Sequence, residues 1–160
     1  LSRGVSMLRK ILPIALIACA ASTSASANLK VEEAIKYRQS AYTFIAWNMG
    51  RIRANTEGEF NRDEVVQAAN AIQAAANSGL GSLFVPGSDK GKGWIETRAK
   101  SELFTDGAGV GKVAMRFNQE ANALAAIAGK GDPAAVKAQL GKLGSTCKSC
   151  HDSYRAKAAN

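Results

Sequence analysis

Near one end of the 160-residue chain stand Cys147, Lys148, Ser149, Cys150 and His151, two thiols three positions apart followed at once by an imidazole. Such a set serves covalent haem attachment, a thioredoxin-like dithiol, a structural disulfide or a zinc site. Zinc sites usually take four Cys or His ligands; the third cysteine of the chain is Cys19, far away in sequence, and His151 is its one histidine. A thioredoxin-like centre follows a strand within alternating strands and helices, a pattern this chain lacks. C-x-x-C-H is the signature of c-type haem attachment. On a helix, residues i and i+3 share a face, so both sulfurs reach the two haem vinyl groups while the adjoining imidazole turns to the iron. A haem-free thiol–disulfide module is the alternative from another class, since an exported protein can hold a disulfide. With a single histidine, bis-His ligation is impossible, and a sixth ligand would be Met49, Met115, a lysine, water or nothing.

The elements that must position this motif read as helices, because apolar residues recur at three- and four-residue spacing and no run of Val, Ile and Thr is bounded by hairpin turns. The first helix is expected from Lys30 to Arg53, with Ile35, Arg38, Tyr42, Ile45, Met49 and Ile52 along one face. A second is expected to start at Asn61 as cap, with Asp63 and Glu64 at the positive end of its dipole, and to stop at Ser78-Gly79; Val65, Val66, Ala69, Ile72 and Ala76 face inward. Residues 79–93 are glycine-rich and include Pro86, which opposes regular structure and implies a long exposed connection. A third helix is expected from Thr105 or Asp106 to Gly129, against the cost of Gly107, Gly109 and Gly111 in its first turns. The fourth starts with Asp132 as cap and Pro133 at the first position, and runs through Cys147 towards Lys157. Four helices with one long connection predict an all-α protein, an antiparallel four-helix bundle with haem attached near the C-terminus.

Residues 1–27 read as a signal peptide: a basic start at Arg9 and Lys10, an apolar run from Ile11 to Ala18, and the small-residue site Ala25-Ser26-Ala27, with residues 1–6 upstream of the true start. The apolar run is too short to span a bilayer, which takes about 20 residues. The alternative is a lipobox, Leu16-Ile17-Ala18-Cys19, in which Cys19 is lipidated and anchors the protein to a membrane. Without Arg3, Arg9 and Lys10, residues 28–160 hold 18 of the 21 basic residues against all 13 acidic ones, a net charge of +5. That length makes one domain. The scattered lysines and arginines form no basic patch, so a nucleic-acid partner is discounted.

Tyr37-Arg38-Gln39-Ser40, Met49-Gly50-Arg51 and the run from Cys147 to Arg155 (CKSCHDSYR), in this order and separation, resemble the cytochrome c′ family over nearly all of residues 28–160. The resemblance implies a periplasmic haem c protein, with the haem on Cys147 and Cys150 and its iron held by His151. It further implies a high-spin, five-coordinate iron open to NO and CO, electron exchange with an unknown redox partner rather than enzymatic catalysis, and a homodimer packed through the first two helices. Arg38 and Gln39 match positions that bond the haem propionates, and Tyr42 matches the distal position, where some low-spin relatives carry a ligating Met. Arg155 matches the proximal side. Glu102 lies in a stretch that covers a haem edge, although Lys100-Ser101-Glu102-Leu103-Phe104 lacks the Pro and Trp common there. Trp47 and Trp94 receive no assignment.

Overall fold

A computed structural model describes residues 29–158; the expected signal segment and Cys19 lie outside them. Five α-helices follow in order: α1 (Val31–Glu57), α2 (Arg62–Ala76), α3 (Glu102–Thr105), α4 (Gly107–Ala128) and α5 (Pro133–Tyr154). The four long ones begin where a side chain satisfies free amides of the first turn. Glu33 accepts the Lys30 N–H at 3.3 Å, and Asn61 accepts from Glu64 N at 3.1 Å. Asp106 accepts from Gly109 N at 2.9 Å, and Asp132 takes the amides of Ala134 and Ala135 at 2.9 and 3.2 Å. The second, third and fourth of these starts are the ones the sequence predicts, and Pro133 occupies the first position of α5 as expected.

The long helices form a ring in which α1 packs on α2, α2 on α4, α4 on α5, and α5 more loosely back on α1. The architecture is the four-helix bundle that the periodicity predicts. Its apolar centre is built from Ile45 and Ile52 of α1, Val65, Ala68, Ala69 and Ile72 of α2, Ala121 and Leu124 of α4, and Val136, Leu140 and Leu143 of α5. Each large member contributes about 1.5–3 kcal/mol by leaving water. Val66, expected to face inward, is only half-buried, and Ala68 takes the inner face instead. Among the described residues no helix is long and apolar enough to cross a membrane.

The connection from α2 to α4 is more structured than its composition suggests. It includes a 3-10 turn, Leu80–Leu83, and the short α3. It is also pinned to α1: a β-carbon at Gly93 would stand 2.7 Å from Gln39 Oε1 and 2.7 Å from the Lys36 amide nitrogen, so only glycine admits this approach. Trp94 closes over the same stretch, donating from Nε1 to Ser40 Oγ at 2.8 Å beneath the Lys36 ammonium, 4.1 Å from its ring centre. Beyond Tyr154 the chain leaves the helix, short of the expected Lys157. Ala99 and Arg155 pair as an isolated bridge, and Ala156 N donates to Arg98 O at 2.8 Å.

Candidate functional site

α5 carries Cys147 and Cys150 one turn apart, both half-buried and both free thiols. Burial pushes each thiol pKa up. A reactive dithiol needs the opposite shift, towards thiolate, so these sulfurs are poorly suited to thiol–disulfide exchange. Next to them, in the last turn of α5, His151 is exposed, with Arg155 Nη1 3.4 Å from its Nε2. Desolvation lowers the imidazole pKa first, and the Arg155 and Arg98 guanidiniums lower it further against a small opposing pull from Asp152. These effects favour the neutral ring, whose unprotonated nitrogen is the form that ligates a metal.

Tyr42, on α1, stands near the two cysteines of α5. Its hydroxyl pKa is pushed up to about 12, first by burial and then by proximity to Cys150 and Cys147, with Arg38 opposing. The thiol contribution holds only while the sulfurs can ionise; as thioethers they would leave burial opposed by Arg38. The ring remains 39 % exposed and meets Phe84 of the connection at 6.4 Å between centroids.

One turn earlier on α1, Arg38 is buried, with 5 % of its surface accessible. Its guanidinium donates to Ser88 Oγ at 2.6 Å, Thr97 Oγ1 at 2.7 Å, and the carbonyls of Ser88 and Leu83. Every acceptor is neutral. A buried cation without a counter-ion costs several kcal/mol, and an anionic group reaching this end of the bundle would offset it. Gln39 bonds the connection instead: its Nε2 donates to Ile95 O at 2.9 Å, and its Oε1 accepts from Trp94 N at 2.8 Å.

Haem c fits these residues on three observations. The two sulfurs lie on one helical face, the buried guanidinium lacks an anion, and the contiguous apolar core stops at Ile45 on α1 and Leu143 on α5, one turn short of Tyr42 and Cys147. A large apolar ring with carboxylate substituents would extend that core and neutralise Arg38.

Other predicted positions are less central. Glu102 opens α3, exposed, with its carboxylate 3.3 Å from Ser101 Oγ and no hydrogen bond to Arg38, Gln39 or His151. Met49 packs against the apolar core, with its Cε 3.9 Å from a β-carbon placed at Gly144, while Met115 is 61 % exposed on α4. Trp47 is exposed against Phe44 and Arg51. Sequence reasoning missed Arg98, which reaches His151 electrostatically from the connection, and Ser88 and Thr97, which hold Arg38. It also missed Tyr154, buried and bonded to Asp106 at 2.6 Å, although its place three residues after His151 was a usable signal.

Comparison with known proteins agrees with this geometry. The family model for cytochrome c′ matches residues 33–155. Cytochrome c′ of Rhodocyclus tenuis is 56 % identical over 129 residues, covering 80 % of this chain and 97 % of the relative. The crystal structure of cytochrome c′ from Thermochromatium tepidum superposes with a TM-score of 0.78 at 52 % identity, covering 82 % of this chain and 100 % of that one. A second solved cytochrome c′, described for an unusual ligand-controlled dimer dissociation, is 51 % identical with a TM-score of 0.79 over 82 % of this chain and all of its own. With the family model spanning residues 33–155 and relatives of more than half identity over nearly their whole length, the chain belongs to the cytochrome c′ family and is a protein with covalently attached haem c.

Proposed function

We propose that the protein is a periplasmic cytochrome c′ whose iron, held by His151 through the haem on Cys147 and Cys150, is high-spin and five-coordinate, binds NO and CO at its open face, and exchanges electrons with a partner. When bound, the haem supplies reversible one-electron chemistry and a site for a small diatomic. Tyr42 carries the reading. It occupies the distal position opposite the two cysteines, and burial, the largest cause, raises its phenol pKa above the ordinary 10 with or without the thiols, so it is neutral at physiological pH and a poor iron ligand. Met115 is 61 % exposed and Met49 is taken up by the apolar core, which favours an iron without a sulfur ligand. Arg38 is the natural propionate partner, with Gln39 beside it, and Arg155 flanks His151 on the proximal side.

Two solved structures of one relative support the ligand class: a nitric oxide complex and a carbon monoxide-bound form of variants of cytochrome c prime from Alcaligenes xylosoxidans, each 29 % identical with a TM-score of 0.71. A homodimer is consistent with the relative known for dimer dissociation. Residues 1–27 would direct export, with Cys19 as a lipid anchor if the lipobox is used.

Optical spectra of the purified protein, oxidised, reduced, and reduced under CO or NO, test the proposal. A high-spin reduced spectrum that shifts with either gas is expected. A sharp low-spin spectrum indifferent to CO would replace it with a six-coordinate electron carrier, and a missing Soret band would leave only the thiol–disulfide module.

A further inference from the structure

We infer that Asp106 and Tyr154 form a positioning pair that fixes the direction of His151. The inference rests on His151 being the iron ligand proposed above.

His151 sits in the last turn of α5, and terminal turns fray because their carbonyls lack intrahelical partners. An exposed imidazole there inherits that motion unless the turn is tied from outside. The turn between His151 and Arg155 is tied throughout. Arg155 N donates to His151 O at 3.1 Å, Lys100 N donates to Tyr154 O at 2.9 Å, and Lys100 Nζ donates to Ser153 O at 3.1 Å. The tie to another long helix is the Tyr154 hydroxyl, which donates to Asp106 Oδ2 at 2.6 Å. Asp106 is itself immobilised, since its other oxygen accepts from Gly109 N as the cap of α4. The last turn of α5 is thereby locked to the first turn of α4.

An independent observation marks the pair as built into the chain. A β-carbon at Gly109 would collide with both the Asp106 carboxylate and the Tyr154 hydroxyl. Glycine inside a helix costs about 1 kcal/mol against alanine. Its presence in the first turn of α4 is therefore explained by the room this hydrogen bond needs.

The test uses the haem-bearing protein and Tyr154→Phe, Asp106→Asn and Gly109→Ala variants. Attachment is read from the Soret band, ligand geometry from the iron–imidazole stretching band of the reduced state, and local order from amide exchange at Lys100 and Arg155. Tyr154→Phe and Gly109→Ala are expected to shift or broaden the stretching band and speed the two amides roughly tenfold. Asp106→Asn keeps the cap and can return a hydrogen bond to the Tyr154 oxygen, so its band should stay close to the parent's. A parent protein with no imidazole band would overturn His151 ligation and the pair with it. An intact band left unmoved by Tyr154→Phe and Gly109→Ala would overturn the pair alone.

Discussion

The two ends of the bundle are held together by different physics. From the end of α1 and the starts of α2 and α5 into the middle of the bundle, Ile52, Val65, Ile72, Val136 and Leu143 are fully buried within one apolar cluster. Where α5 ends, Ala34 and Ile35 of α1 are also fully buried, but beside them burial falls on Arg38, Ser88, Thr146 and Tyr154, with the two sulfurs half-buried. The first end is complete as polypeptide. The second is rich in polar ties beside the two cysteines, where haem c would supply further apolar mass. A protein that builds half its core from a cofactor should show separate stabilities for the two halves.

The largest expected effect comes from removing attachment. In a Cys147→Ala, Cys150→Ala double variant no haem survives acid extraction. Amide protection around Tyr42 and residues 146–155 is then expected to fall by about a hundredfold or more, while Ile72 and Leu124 keep theirs. Uniform loss across both ends would break the comparison. Next in size is Leu143→Ala, a fully buried truncation expected to cost about 2–5 kcal/mol in urea or thermal unfolding. Leu143 stands one turn from Cys147, where the haem would extend the core, so the cost should be larger in the haem-bearing protein than without haem.

A smaller effect separates the forms. Arg38→Met removes a buried cation whose acceptors in this structure are all neutral, so its cost in the haem-free protein is limited to the Leu83 and Ser88 carbonyls and the Ser88 and Thr97 hydroxyls losing their donor. In the haem-bearing protein it also removes a charge-assisted bond to a propionate. It should therefore cost about 1.5–3 kcal/mol more there, as measured by urea unfolding of the two forms. Equal costs would mean that Arg38 serves the connection alone.

The same division explains what could be read from sequence. Asn61, Asp106 and Asp132 announce three helix starts because capping is local chemistry, and the apolar spacing of α2 marks its inner face. Cys147, Cys150 and His151 are legible as one motif for the same reason. Ser88 and Thr97 were not legible, because their contacts with Arg38 span 50 and 59 residues of sequence and their hydroxyls look like those of any loop. Arg98 escaped likewise. The glycines of the α2–α4 connection suggested an exposed loop, yet Gly93 is there so that the chain can lie on α1.

The smallest expected effect is acid sensitivity, which samples both ends at once. Glu64 lies at the polypeptide end, where hydrogen bonds from Asn55 and then Arg51 hold its carboxyl below the ordinary 4.5. Asp106 lies at the haem end, where the Tyr154 hydroxyl and then the Gly109 amide hold its carboxyl below 3.8. With folded pKa values depressed, the unfolded chain binds more protons in acid, so each group contributes stability above its ordinary value that is lost as pH falls through the folded one. The window lies below about pH 4.5, and solvent exposure keeps the effect small. Urea midpoints at about pH 6 and pH 3 should therefore differ modestly in the parent and by less in Glu64→Gln or Asp106→Asn. Because the two carboxylates share no partner, the double variant should flatten the difference additively. A parent-like decline in both single variants would show that neither carboxylate is held in acid, and a non-additive double would show that the two ends are coupled through the helices that join them.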